Sequence, residues 1–109
     1  MSVEPRLVSE VLPDLAKELE SLLIEADEAA LAAQVPGLRI VDRCRCGDDF
    51  CAMFYVRPKS KDGFGLDHRN VDLGPENGFL ILDVEGEQIA AVEVLYRDEV
   101  RKVIDDLFS

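Results

Sequence analysis

The sequence predicts a single α+β domain over residues 1–109: N-terminal helices, an antiparallel β-meander of four or five strands, and a C-terminal helix. Three observations carry that expectation. Apolar residues recur at spacings of three and four before Pro36, and again after Tyr96. Between those points the period falls to near two, and β-branched and aromatic residues take over. Helical and extended textures are therefore segregated along the chain, not alternating as in a βαβ protein.

The elements follow in order. "SVEPRLVSEVL" reads as a short helix of its own, which Pro13 separates from the next. Pro13 suits a first helical position, where its missing N–H costs nothing. Leu12, Leu15, Leu19, Leu22 and Ala26 then form one apolar stripe, with Glu18, Glu20 and Glu25 off it. A break is expected near residues 25–27, with Asp27 capping a second short helix through Ala33. Pro36-Gly37 ends the helical region. "LRIVDRCRC" and "FCAMFYV" read as a hairpin turning at "GDD". "RPKSKDGFGLDHR", residues 57–69, reads as a loop, long for so small a domain. "NVDL" is a short strand and "GPENG" a turn. "GFLILDVEGEQIAAVEVL" is a second hairpin, turning at Glu85-Gly86. The closing helix puts Val100, Val103, Ile104 and Leu107 on one face. Its Asp105 and Asp106 oppose the helix dipole, and Arg101 and Lys102 offset part of that from one turn back.

In the second hairpin both faces read apolar. Phe79 and Ile81 alternate with Leu80, Leu82 and Val84, and Val92 and Val94 alternate with Ile89, Ala91 and Leu95. A sheet wet on one side does not give that pattern. With about three helices to cover two faces, the expected partner is another protein or a second copy of the chain, docked on an apolar sheet face.

The net charge is −11, and it is uneven. Residues 39–69 hold seven bases against five acids, while both flanks are strongly acidic. Such a surface repels phosphates and anionic lipids, so neither nucleic acid nor membrane is an expected partner. An acidic mimic of nucleic acid is disfavoured by the bases in the middle third. There is no basic-then-apolar leader and no apolar run long enough for a bilayer span. Three cysteines is an odd number for a secreted disulfide framework, so a reducing cytoplasm is the expected compartment.

All three cysteines lie in "CRCGDDFC", residues 44–51. Cys44 and Cys46 point the same way, since side chains alternate along a strand. A loop of two or four residues sets Cys46 opposite Cys51 and gathers three thiols on one face. A loop of three sets Cys46 opposite Phe50 and sends Cys51 to the face of Arg39, Arg43 and Arg45. Polarity segregates better in the second register: Cys44 and Cys46 then join Ile40, Phe50, Ala52, Phe54 and Val56 on one apolar face, and this is the register favoured. The metal alternative takes Cys44, Cys46, Cys51 and His68 as zinc ligands, with Asp67 orienting the ring. The spacing is not a common zinc spacing and lacks a second knuckle. The redox alternative pairs Cys51 with Cys46 or Cys44, without the Cys-x-x-Cys of thioredoxin-like proteins. Otherwise the cysteines pack as small apolar side chains, with no cofactor. No phosphate-binding loop, dinucleotide glycine pattern or separable acid–base pair stands out, so a non-enzymatic role is expected.

"GFLILDVEGEQIAAVEVLYRDEV", residues 78–100, resembles short bacterial proteins of unknown function. These carry a strand ending in Leu-Asp, a Gly turn, and a strand ending in Glu-Val-Leu; the matching residues are Leu82, Asp83, Gly86, Glu93, Val94 and Leu95. The resemblance covers about a fifth of the chain. It implies a bacterial protein of that kind and supplies no activity or site residues. The expected function is that of a small acidic protein-binding or regulatory module, working as a dimer. The alternative is a zinc-binding or thiol-redox protein built on the cysteine hairpin.

Overall fold

The structure, a computed structural model, describes residues 5–58 and 67–108. The order is β1 (Arg6–Leu7), α1 (Val8–Val11), α2 (Pro13–Glu25), α3 (Ala29–Ala32), a 3-10 turn at Val35–Gly37, β2 (Arg39–Ile40), β3 (Asp42–Arg43), β4 (Phe54–Tyr55), β5 (His68–Asp72), β6 (Phe79–Glu85), β7 (Gln88–Leu95) and α4 (Asp98–Leu107). The protein is an α+β fold with N-terminal helices, an antiparallel five-stranded sheet and a C-terminal helix.

Pro13 opens α2, as its fixed φ allows. The helix buries Leu15, Ala16, Leu19 and Leu23. Ala26 is exposed, because α2 ends at Glu25 and Leu23 completes the stripe in its place. Asp27 does not cap α3. It takes a φ of 59°, in the left-handed region that short polar side chains tolerate, and turns the chain sharply; Glu28 holds the N-cap position. Across from it, Arg69 on β5 grips both carboxylate oxygens of Glu28, at 2.9 and 3.2 Å. The same bidentate device joins α2 to the start of α4, where Arg97 meets Glu18 at 2.6 and 2.7 Å.

β1 and β2 form a two-stranded antiparallel sheet; the other strands run in the order β3-β4-β7-β6-β5. β5, β6 and β7 are consecutive neighbours, and β4 joins the outer side of β7. The chain therefore passes from the sheet's interior to its far edge between β4 and β5. Of the segment expected as a loop, residues 59–66 lie outside the described residues, while His68 and Arg69 already belong to β5.

The β6–β7 turn is Gly86-Glu87, one residue later than expected, with Glu85 opposite Gln88 and Gly86 at a φ of 60°. A left-handed glycine at the first turn position suits the right-handed strand twist. Further along, Asp83 pairs with Ala91 but Val84 pairs with Ile89, so β7 carries one extra residue, a bulge at Ala90. The bulge corrects the expected face of Ile89: it sits opposite Val84, in the core, and not with Ala91 and Leu95.

One core holds the helices to the sheet. Leu15, Leu19, Leu23, Leu31, Val100 and Ile104 pack with Ala52, Phe54, Leu80, Leu82, Val84, Val92 and Val94. The strand residues in that group share one face through the register Phe54–Val92–Leu82. On the opposite face Tyr55, Asp83 and Ala91 are buried, Met53, Ile81 and Leu95 are half-buried, and Phe79 is 48% exposed. Among the described residues no helix is long and apolar enough to cross a membrane.

Candidate metal centre

The cysteine hairpin takes its register from both neighbours. Asp42 pairs with Tyr55 and Arg43 with Phe54, and the Cys44 N–H donates to Met53 O at 2.9 Å. Continuing that ladder sets Cys46 opposite Cys51 across the four residues 47–50, where Gly47 supplies a φ of 83° and the Cys51 N–H reaches Asp48 O. On the other side Cys51 bridges Leu95, in step with Phe54 and Val92. Cys44, Cys46 and Cys51 thus share one face of the hairpin.

This overturns the three-residue loop. Phe50 does not oppose Cys46; it is 39% exposed and stacks on Tyr96 with ring centroids 5.0 Å apart. Ile40 belongs to β2, which pairs with β1, so the cysteine faces cannot be counted from it. Arg43 is not on a solvent face either. It shares the side of Phe54 and reaches α4, where its Nη1 donates to Asp105 Oδ1. A helix-borne acid beside the sheet makes that position polar, which alternation within the hairpin could not reveal.

The outcome is a cluster in which the three Sγ atoms all lie within 4.8 Å of one another. Zinc–sulfur bonds of ~2.3 Å in a tetrahedron put sulfurs about 3.8 Å apart, so side-chain adjustment of about 1 Å is enough to bind an ion. Cys46 is exposed; Cys44 and Cys51 are half-buried. The Asp48 backbone hydrogen bond, followed by the thiols of Cys51 and Cys44, holds the Cys46 thiol below its usual range. Burial is the main cause pushing Cys51 up to about 12. Cys46 therefore gives up its proton more readily than Cys51, with the thiols of Cys51 and Cys44 hydrogen-bonded to it. The cluster lines a hollow of about 310 Å³ with Arg43, Arg45, Gly47, Asp48 and Arg101.

His68 is not part of this cluster. It lies on β5, while the cysteines lie in the segment between β3 and β4, at the opposite edge. Its Nε2–H donates to Asp83 Oδ1 at 2.8 Å, so Asp83, and not Asp67, orients this bond. Asn70 donates to the same oxygen at 2.7 Å. Asp83 is only 3% exposed, and its Oδ2 is buried without a conventional donor. Glu93 lies diagonally across on β7, where a proton on one carboxyl can bridge it to Asp83. Two carboxylates cannot bond unless one carries a proton. Burial first, then that bond and the Asp83 charge, push Glu93 up to about 7, with only the His68 charge opposing. Sequence reasoning passed over this second polar group. Its signal was there: Asp83 and Glu93 are acids inside otherwise apolar strands.

Compared with known protein families, curated protein sequences and solved structures, the chain has no match.

Proposed function

We propose that this protein binds a thiophilic metal ion, zinc being the first candidate, through Cys44, Cys46 and Cys51. The observation that supports the reading is the convergence of all three sulfurs on one face of a hairpin. Thiolates are the donors that select zinc and other soft ions over magnesium or calcium. His68 is not a ligand in this reading, because its Nε2 is engaged by Asp83 across the sheet. The core is built from residues other than the thiols, so the ion adds to a protein that folds without it.

The test is stoichiometry. Protein purified without chelator and then stripped is titrated with zinc or cadmium. One ion per chain is expected, with at least a hundredfold loss of affinity for Cys44→Ser, Cys46→Ser or Cys51→Ser. Failure to take up stoichiometric metal while all three thiols are titratable ends the reading. Thiol-redox chemistry uses the same sulfurs and predicts instead that mild peroxide removes two titratable thiols, which a reductant restores.

A second reading is favoured by a separate observation. Phe50, Tyr96 and Phe79 form an exposed aromatic cluster, with Tyr96 60% exposed and its ring 5.8 Å from that of Phe79. Exposed aromatic groups gathered in one cluster suit a protein partner or a second copy. Sedimentation in dilute solution checks it: a dimer that Tyr96→Ala and Phe79→Ser dissociate supports the docking surface, and a monomer at all concentrations removes the second copy.

A further inference from the structure

We infer that an ion held by the three cysteines takes its fourth ligand from outside the chain, and that this ligand is a small acidic thiol whose carboxylate pairs with Arg101. The inference rests on the metal reading above and names what completes that site.

Three observations lead to it. First, among the described residues no histidine, cysteine or carboxylate besides Cys44, Cys46 and Cys51 belongs to the converging group. Structural zinc sites close with four protein ligands; a site with three leaves one position for an exchangeable ligand. Second, the sulfurs open on a hollow of about 310 Å³ at the surface, with room for a ligand of several heavy atoms. Third, the three guanidinium groups lining that hollow are not equivalent. Arg43 is bound to Asp105 and to Cys44 O, and Arg45 to Asp42 at 2.6 Å and to Arg43 O. Arg101 comes no nearer than 3.8 Å to either of its carboxylates, and its Nε is buried without a hydrogen bond. One of those carboxylates, on Asp105, is already taken by Arg43; the other, on Asp49, is almost fully exposed. Among the described residues Arg101 is therefore the cation of the hollow that is held only by long ion pairs.

The chemistry of the ligand follows from its two neighbours. An ion selected by three thiolates prefers a fourth soft donor, which is sulfur. A guanidinium with free donors prefers a planar carboxylate, which it can bind through two parallel bonds. On binding, the metal–sulfur bond replaces a metal–water bond, the water leaves, and the thiol proton passes to solvent. No electron is transferred. Asp48 lines the same hollow and, among the described residues that line it, is the one internal competitor for the fourth position.

The experiment uses the full chain loaded with cobalt(II), whose visible spectrum reports the donor set. Mercaptoacetate is titrated against the neutral thiol 2-mercaptoethanol, and gel filtration verifies that the cobalt stays with the protein. Both thiols are expected to raise the sulfur-to-cobalt absorbance, mercaptoacetate at about tenfold lower concentration, the size of one screened charge-assisted contact. Arg101→Met should bring the two ligands within twofold of each other and leave cobalt affinity unchanged; Arg101→Lys should recover part of the preference. A spectrum that neither thiol changes overturns the open fourth position, all the more if Asp48→Asn alters it. Equal affinities for the two thiols in the unaltered protein overturn the Arg101 pairing. Failure to bind cobalt at all defeats the metal reading first, and this inference with it.

Discussion

Replacing Glu93 by Gln tests the carboxyl pair that Asp83 and Glu93 form on β6 and β7. Glutamine keeps the shape of a protonated glutamate and still donates to Asp83, but it cannot ionise. In the folded protein Glu93 titrates at about 7, against 4.5 for an unperturbed glutamate. Between those values the folded state holds a proton that the unfolded state has released. Stability from this group is thus fully present below 4.5 and is lost as pH rises through about 7. Taken at face value the difference corresponds to about 3 kcal/mol. Glu93 is half-exposed, so solvent screening reduces the expected effect to about 1–2 kcal/mol. Urea unfolding of both proteins, repeated from pH 4.5 to pH 8.5, gives the comparison. The other carboxylates cancel in the difference between the two curves. Glu93→Gln should gain on the natural chain by about 1–2 kcal/mol across that range, most of it before pH 7.5. Asp83→Asn, which removes the neighbouring charge, should flatten the pH dependence in the same direction. A difference that stays constant with pH would refute a proton shared between Asp83 and Glu93.

Other substitutions probe the frame around the site. Gly78→Ala should cost about 2–4 kcal/mol in chemical denaturation, since φ is 67° there and a Cβ would stand 2.4 Å from Leu95 O. Arg97→Met should cost about 2–4 kcal/mol by the same assay, because it leaves Glu18 half-buried without its partner and removes the donor to Asn77 O. Cys46→Ser, at an exposed position, should change the stability of the metal-free protein by less than about 0.5 kcal/mol while abolishing tight metal binding.

The helices and the second hairpin were legible because their periods are local. A stripe such as Leu12, Leu15, Leu19 needs only its own turn geometry to be read, and Leu23 displaced Ala26 merely because the helix stopped at Glu25. The cysteine register was not legible, and the reason lies far along the chain. Arg43 is drawn to the helix side by Asp105, and the facing of Cys51 is fixed by Leu95. Neither contact leaves a mark on residues 39–56, where polarity alone points to the wrong loop length. The Asp83–Glu93 pair was hidden by one residue. Without the bulge at Ala90, the Gly86-Glu87 turn would place Glu93 opposite Leu80, on the helix-covered face; the extra residue swings it across to Asp83. Bulges re-aim side chains in this way, and alternation counts cannot anticipate them. His68, expected in a loop and set beside the cysteines only in the metal alternative, is claimed by a strand at the other edge of the sheet, and strand order is a tertiary fact.

The order of strands also sets an order of assembly. β3 and β4 pair through two residues each, too little for a hairpin to persist alone in water. Their anchor is β7, whose partner residues lie far downstream: Val92 for Phe54, Leu95 for Cys51. During synthesis, then, the three thiols leave the ribosome well before the strand that aligns them. The β6–β7 hairpin is closed by its own two-residue turn, so its contacts are local in sequence, whereas the cysteine hairpin needs β7 to take its register. A chain ending before β7 therefore lacks the strand that sets the register of its three thiols, and the finished chain brings them into one cluster.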